Sequence, residues 1–190
     1  LYLHTEFFVP LGMVDTGFEV PADQRERIVE LSRTDGDGRL VLSDEPTARY
    51  PGTRPHHYYS AAGGLYSTAS DYLCFARMLL AHGRVGERQF VPEALMDEML
   101  REQLVPMGLE RPWIDEAPGR GFGLGLSVLL DPAAQGRTGA AGQVGWTGAA
   151  STAFVIDPAT NSIFFFFFQH PYNDKHGDLP RVTKAFYYHV

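Results

Sequence analysis

Cysteine, lysine and long hydrophobic runs are scarce in this 190-residue chain. The single cysteine, Cys74, excludes an internal disulfide and a multi-cysteine zinc site. Sixteen Lys and Arg stand against 23 Asp and Glu, and the net charge of -7 repels a phosphate backbone, so nucleic acid is excluded as a partner. The longest apolar run, residues 163–168, is far shorter than the roughly 20 residues that a membrane-spanning helix needs. A hydrophobic share of 44% predicts a globular chain with one sizeable core.

Periodicity divides the chain into a helical first part and a strand-rich second part. Apolar positions recur at helical spacing between residues 72 and 80, after a cap at Ser67 or Thr68 and before a stop at Gly83. A second helix begins at Pro92, the tail of another occupies residues 1–11, and residues 35–38 form the turn of a hairpin. Residues 178–190 form a closing helix. The predicted strands form an antiparallel meander and lie at residues 122–130, 144–147, 152–156 and 163–169.

The familiar nucleotide, hydrolase and metal motifs are missing. The glycines of GFGLG at 121–125 lack dinucleotide-binding spacing and indicate close packing, and no Gly-x-Ser-x-Gly elbow occurs. His170 and His176 fall in a polar stretch with acidic neighbours, but solvated loop histidines are the favoured interpretation over a metal site. Glu98 and Glu102 are interpreted as the solvated face of a helix. No metal and no cofactor is therefore expected.

Three stretches stand out together: PLGMVDTGF at 10–18, GGLYSTASDY at 63–72 and GWTGAAST at 145–152, followed by a strand and Asp157-Pro158. In order and spacing they resemble the serine β-lactamase-like family, which includes class C β-lactamases, penicillin-binding proteins and family VIII carboxylesterases. The resemblance implies an α/β fold of the α+β type, with a mostly antiparallel sheet flanked by helices beside a helical domain. It covers residues 1–190 as the C-terminal portion of one such domain: helices and loops to about 119, then strands and the closing helix.

The resemblance also implies site residues in the third stretch. Trp146-Thr147-Gly148 occupies the position of the family's Lys-Thr-Gly motif, on an edge strand beside the nucleophile, and the N–H of Ala149 is expected to be one of two oxyanion-hole donors. Trp replaces the Lys of true β-lactamases, which favours an uncharged ester or amide substrate. An aromatic core residue at a sheet edge is the alternative interpretation of Trp146.

The loop before the first long helix is a second candidate region. Its position resembles that of the family loop which edges the active-site cleft, so Tyr58, Tyr59 and Gly63 are expected to form a wall of the substrate pocket. A helix-entry turn is an equally favoured interpretation of the two tyrosines. Tyr58-Tyr59-Ser60 fits the Tyr-x-Ser pattern of the family's second motif, but its place in the chain is wrong for that role.

A nucleophile is missing from these residues. None of the serines is followed three positions later by a lysine, since Lys175 and Lys184 are the only lysines. The family places Ser-x-x-Lys upstream of the segment that resembles residues 10–18. We therefore expect a missing N-terminal segment of the same protein to supply the nucleophile, and residues 1–190 alone to be inactive. The open sheet edge would be covered by that segment or by a homo-oligomer.

Two functional classes follow. The first is a serine hydrolase that acts on a small-molecule ester or amide through an acyl-enzyme, with an esterase favoured over a β-lactamase or peptidase. The second is a non-catalytic module that binds a ligand or partner on the same scaffold. Fold-level resemblance does not decide the substrate.

Overall fold

The computed structural model describes residues 1–43, 59–60, 63–110, 118–136, 140–170, 181–182 and 185–186. Their contacts divide them into two units. The first contains the described parts of residues 1–75, 148–152 and 167–177, and the second those of residues 76–147, 153–166 and 178–190. Within the described residues, no helix is long and apolar enough to cross a membrane.

The first unit opens with the predicted helix and hairpin. A π-helical turn, His4–Phe8, continues into α1, Val9–Leu11, and Gly12 ends it with a left-handed φ of 73°. A 3-10 helix, Ala22–Arg27, leads to the hairpin of β1, Ser32–Thr34, and β2, Leu40–Leu42. The carboxylate of Asp35 accepts hydrogen bonds from the backbone N–H groups of Asp37 and Arg39, which closes the turn.

Two of the three conspicuous sequence stretches lie against each other in the first unit. Gly17 and Tyr66 exchange backbone hydrogen bonds of 3.1 and 2.8 Å. Asp71, only 5% exposed, accepts hydrogen bonds through Oδ2 from the Asp15 N–H at 2.7 Å and from Thr16 Oγ1 at 2.8 Å. These stretches therefore carry a structural signal, because one buried carboxylate joins residues 10–18 to the start of the long helix.

That helix, α2, spans Ala69–Leu80 and belongs to the first unit up to residue 75 and to the second beyond it. The cap predicted at Ser67 or Thr68 is provided by Thr68, whose Oγ1 accepts the Asp71 N–H at 3.2 Å. The predicted stop at Gly83 is confirmed: its φ is +84°, and a Cβ there would lie 2.4 Å from the Val91 carbonyl oxygen.

The rest of the second unit consists of a short hairpin, a helix and a sheet. The hairpin pairs β3, Arg84–Val85, with β4, Arg88–Gln89, and α3 spans Glu93–Leu100. The described residues of this unit form a five-stranded antiparallel sheet with the order β5-β6-β7-β8-β9, which confirms the predicted meander. Its strands are β5, Arg120–Phe122, β6, Ser127–Leu129, β7, Val144–Thr147, β8, Ala153–Asp157, and β9, Ser162–Phe166.

The predicted strand at 122–130 is wrong, because the chain there turns back on itself. β5 and β6 form a hairpin whose turn includes Gly125 with a φ of +92°. The expectation of close packing at these glycines is confirmed: a Cβ on Gly123 would lie 2.1 Å from the Met99 carbonyl oxygen, and one on Gly121 would overlap the carboxylate of Glu102. The glycines thus admit neighbouring groups that no side chain could accommodate.

The phenylalanine run ends its strand earlier than predicted. β9 stops at Phe166, and the run is unevenly covered: Phe164 is buried whereas Phe167 is 44% exposed. The ring of Phe164 packs 4.9 Å from that of Phe186, which belongs to a helical segment. Residues 181–182 and 185–186 are helical as expected, and the remainder of the predicted closing helix lies outside the described residues.

We predict that Asp71→Ala lowers the free energy of unfolding by about 2–3 kcal/mol, because the substitution removes a buried charged acceptor and leaves the Asp15 N–H unpaired. Asp97→Ala is the matched control: Asp97 also accepts a side-chain hydrogen bond, from His82, but it is exposed, so we expect a loss of at most about 1 kcal/mol. Urea unfolding measures both. Equal losses would contradict the role assigned to Asp71.

Candidate functional site

The third sequence stretch begins on β7. Trp146 is 42% exposed, and its ring meets the Phe122 ring edge-on at a centroid distance of 5.3 Å. Gly145 lets β7 approach β8 closely, since a Cβ there would lie 2.1 Å from the Phe154 carbonyl oxygen. Trp146 is therefore not an enclosed core residue, and it presents an aromatic surface on the second unit.

The expected edge position is wrong for β7 as a whole, which is the third of the five strands that the described residues form in this sheet. On one side β8 pairs with all of β7, from Val144 to Thr147. On the other side β6 pairs only with Val144 and Gly145. The pairing with β6 therefore ends before Trp146 and Thr147. These two residues pair with β8 on one side and have no β6 partner on the other, although β7 is a central strand.

The turn after β7 holds the other expected site residues. The Gly148 N–H donates to the Thr152 carbonyl at 2.8 Å, and the Ser151 N–H donates to the Gly148 carbonyl at 2.9 Å. Ser151 adopts a left-handed φ of 63°. Between these bonded amides lie Ala149, which is exposed, and Ala150, which is half-buried, and neither N–H has an acceptor among the described residues. An unpaired, exposed N–H in a fixed turn is a suitable donor to an oxygen anion.

The loop residues are placed on the first unit. The Tyr59 side chain is 60% exposed with its ring 5.0 Å from that of Phe18, and Gly63 is exposed. A Cβ on Gly64 would lie 2.8 Å from the Ser60 carbonyl oxygen, so the glycine pair serves a tight turn before α2. Tyr58 lies outside the described residues.

One histidine and one glutamate, His170 and Glu102, do not have the solvated side chains that the sequence predicted. His170 is only 3% exposed, and its ring nitrogens lie 3.1 Å from Ser32 Oγ and 3.3 Å from Thr34 Oγ1. Glu102 lies beyond the end of α3 and accepts the backbone N–H of Phe122 at 2.7 Å. Sequence reasoning missed both because neither contact is local; His176 lies outside the described residues.

Among the described residues, Tyr72 is the titratable group whose pKa changes most. Burial raises the pKa of Tyr72 to about 12, and its ring packs against those of Phe75 and Phe167. This phenol therefore stays protonated at neutral pH and is unsuited to serve as a base. The bidentate contact of Arg27 lowers the pKa of the Asp15 carboxyl. Across the described residues, no three His, Cys, Asp or Glu side chains are grouped to hold a metal ion.

Comparison with known proteins shows which family has this fold and these sequence stretches. A family model described as Beta-lactamase matches residues 2–186. The chain belongs to the beta-lactamase family. The match covers both units, so the sheet, the β7 motif and the α2 region are parts of one family fold.

The relatives are longer and include enzymes. Protein Rv1367c of Mycobacterium tuberculosis is 39% identical over 170 residues, 85% of this chain and 41% of its own length. Esterase EstB of Burkholderia gladioli is 30% identical over 79% of this chain and 38% of its own length. Simvastatin synthase LovD of Aspergillus terreus matches with a TM-score of 0.73 at 25% identity over 96% of this chain and 48% of its own. The chain thus spans about half the length of these beta-lactamase-family proteins, or somewhat less.

We predict that the protein loses stability between pH 10 and 12 through Tyr72. A raised pKa in the folded state means that the contribution is complete below the unfolded pKa of about 10 and is lost as the pH rises towards 12, by on the order of 2 kcal/mol. The urea concentration at the unfolding midpoint should fall between neutral pH and pH 12 in the wild type, and it should fall less in Tyr72→Phe. Tyr59→Phe, at an exposed tyrosine, should keep the full loss; an unchanged loss in Tyr72→Phe would refute the assignment.

Proposed function

We propose that the protein is a serine hydrolase that acts on esters or amides through an acyl-enzyme, and that this chain supplies an oxyanion donor and part of the substrate pocket. The observation that carries the proposal is the exposed N–H of Ala149, which lacks an acceptor among the described residues and follows Trp146-Thr147-Gly148. The beta-lactamase family and the esterase among the relatives support it.

The proposed reaction assigns the chemistry as follows. A serine from the segment that precedes these residues attacks the carbonyl carbon of the ester, and a base takes the serine proton. The carbonyl oxygen becomes an oxyanion, which accepts a hydrogen bond from Ala149 N–H. The carbon–oxygen bond to the leaving alcohol breaks, the alcohol takes the proton, and water then releases the acid from the acyl-enzyme.

The proposed substrate preference depends on Trp146. In the position of a lysine this chain presents an aromatic ring that is 42% exposed and braced by Phe122. A lysine there would attract the carboxylate of a β-lactam, whereas an indole offers apolar contact to a neutral group. We propose that Trp146 contacts an uncharged part of the ester.

A non-catalytic binding module is the second candidate. It is favoured by one feature of the sequence: no serine among these 190 residues has a lysine three positions later. In that case the same surfaces would bind a small molecule or a partner without turnover. The two candidates differ in whether the complete protein contains an activated serine.

We predict that a fluorophosphonate adds once to the complete protein and not to a chain of residues 1–190 alone. The reagent needs an activated serine, which the proposal places outside these residues. Intact mass spectrometry before and after incubation measures both samples together. A single adduct on the complete protein supports the hydrolase. No adduct on it would favour the binding module, and ester turnover by residues 1–190 alone would contradict the assigned division of roles.

We predict that Trp146→Ala raises KM for a neutral aryl or alkyl ester by about 10-fold with a smaller change in kcat, because the side chain binds substrate and transition state alike. Trp146→Lys should improve hydrolysis of an anionic β-lactam relative to the ester. Tyr2→Ala, which removes an aromatic side chain that is 72% exposed, is the control and should leave both constants unchanged. Unchanged KM in Trp146→Ala would exclude the proposed contact.

A further inference from the structure

His170 is the only histidine among the buried polar side chains of the described residues, and the hydrolase chemistry above does not use it. Its imidazole stacks on the Phe168 ring at 5.6 Å with an interplanar angle of 12°. Its two ring nitrogens face hydroxyls of Ser32 and Thr34, both on β1. The side chain is thus enclosed and satisfied on both nitrogens within the first unit.

The backbone of the same residue holds the turn after β7. The His170 N–H donates to the Ala150 carbonyl at 3.0 Å, and Ser151 Oγ donates to the His170 carbonyl at 2.8 Å. Both contacts involve the two residues that follow Ala149, whose own N–H has no acceptor among the described residues. One residue therefore grips the turn on the C-terminal side of the proposed oxyanion donor.

The hydroxyl partners connect the imidazole to the neighbouring backbone. The Gln169 carbonyl accepts from the Ser32 N–H at 2.8 Å and lies 3.1 Å from Ser32 Oγ. The same hydroxyl oxygen lies 3.1 Å from His170 Nδ1, and Thr34 Oγ1 lies 3.3 Å from Nε2. The ring links β1 to residues 169–170 in one fixed orientation.

We propose that His170 is a positioning residue for acyl transfer: held between Ser32 and Thr34, it fixes the turn that aims Ala149 N–H at the oxyanion. This inference rests on the proposed function. An oxyanion donor stabilises charge only when it is already in place, and a shift of about 1 Å in such a group can cost about 100-fold in rate. A buried histidine that contacts no substrate can therefore raise the rate by holding this turn in place.

The test compares variants of the complete protein that remove the ring's hydrogen bonds in steps. His170→Phe keeps a flat ring beside Phe168 but loses both hydroxyl contacts, and His170→Asn retains a donor near the Nδ1 position. We expect kcat for a neutral ester to fall by about 10- to 100-fold in His170→Phe with KM within about 3-fold, and to recover in part in His170→Asn. A lowered kcat at constant KM is the effect of a displaced transition-state donor. Loss of folded protein would instead lower the concentration of active enzyme, which fluorophosphonate titration measures.

A milder pair guards against variants that fail to fold. Thr34→Val removes the hydroxyl opposite Nε2, and Thr160→Val removes one that bonds Ser162 at 2.6 Å on the exposed turn between β8 and β9. Thr34→Val should lower kcat several-fold per titrated serine and Thr160→Val should not. Equal kcat in both, or in His170→Phe and wild type, would overturn the proposal.

Amide hydrogen exchange separates this proposal from the proposed function. Peptides that cover residues 148–152 should exchange faster in His170→Phe and Thr34→Val than in the wild type and Thr160→Val. If the wild type proves inactive and unlabelled by fluorophosphonate, the hydrolase is wrong, and exchange alone then decides whether His170 fixes the turn. Unchanged exchange in His170→Phe would overturn the positioning role whatever the activity.

Discussion

The turn between β7 and β8 is the constraint on which this account depends. Its amides are unequal: those of Gly148 and Ser151 are bonded within the turn, whereas the two amides between them, on Ala149 and Ala150, have no acceptor in the described part of the chain. A free N–H at the surface has little energetic cost because water satisfies it, but in a desolvated site the same group stabilises an oxyanion strongly. The turn therefore presents a hydrogen-bond donor without destabilising the fold. His170 contacts this turn through its backbone, with the Ala150 carbonyl and Ser151 Oγ as partners.

The other conspicuous stretches of the sequence do structural work. Residues 10–18 and 63–72 are joined by the Gly17–Tyr66 pairing and by the carboxylate of Asp71. Arg27 reinforces the same region from outside through its bidentate contact with Asp15. A family pattern of this kind is recognisable because it specifies a fold, and the third stretch is the one for which we propose a direct chemical role. An esterase and a simvastatin synthase are both similar to this chain, so the architecture by itself does not decide the substrate.

Local signals predicted a good part of the fold. The cap at Thr68, the stop at Gly83, the hairpin turn at Asp35 and the strand meander all follow from short-range chemistry, and the structure confirms each.

The failed predictions have different causes. The hairpin inside residues 120–129 was hidden because its glycines make room for groups distant in sequence. The wrong edge position of β7 came from the family resemblance and not from the strand pattern, since the meander order already places β7 between two neighbouring strands. Burial of His170 depends on two hydroxyls about 140 residues earlier in the chain, so a polar sequence neighbourhood gave the wrong environment. Trp146 and Ala149 were found only through the family resemblance, since neither residue type indicates a site by itself.

The most direct test is a crystal structure of the complete protein with a phosphonate bonded to its nucleophile, read at one distance. The account predicts that the phosphoryl oxygen lies about 2.7–3.1 Å from the backbone nitrogen of Ala149, with the turn as described. A phosphoryl oxygen held by other donors, with Ala149 N–H directed at solvent, would contradict the central claim.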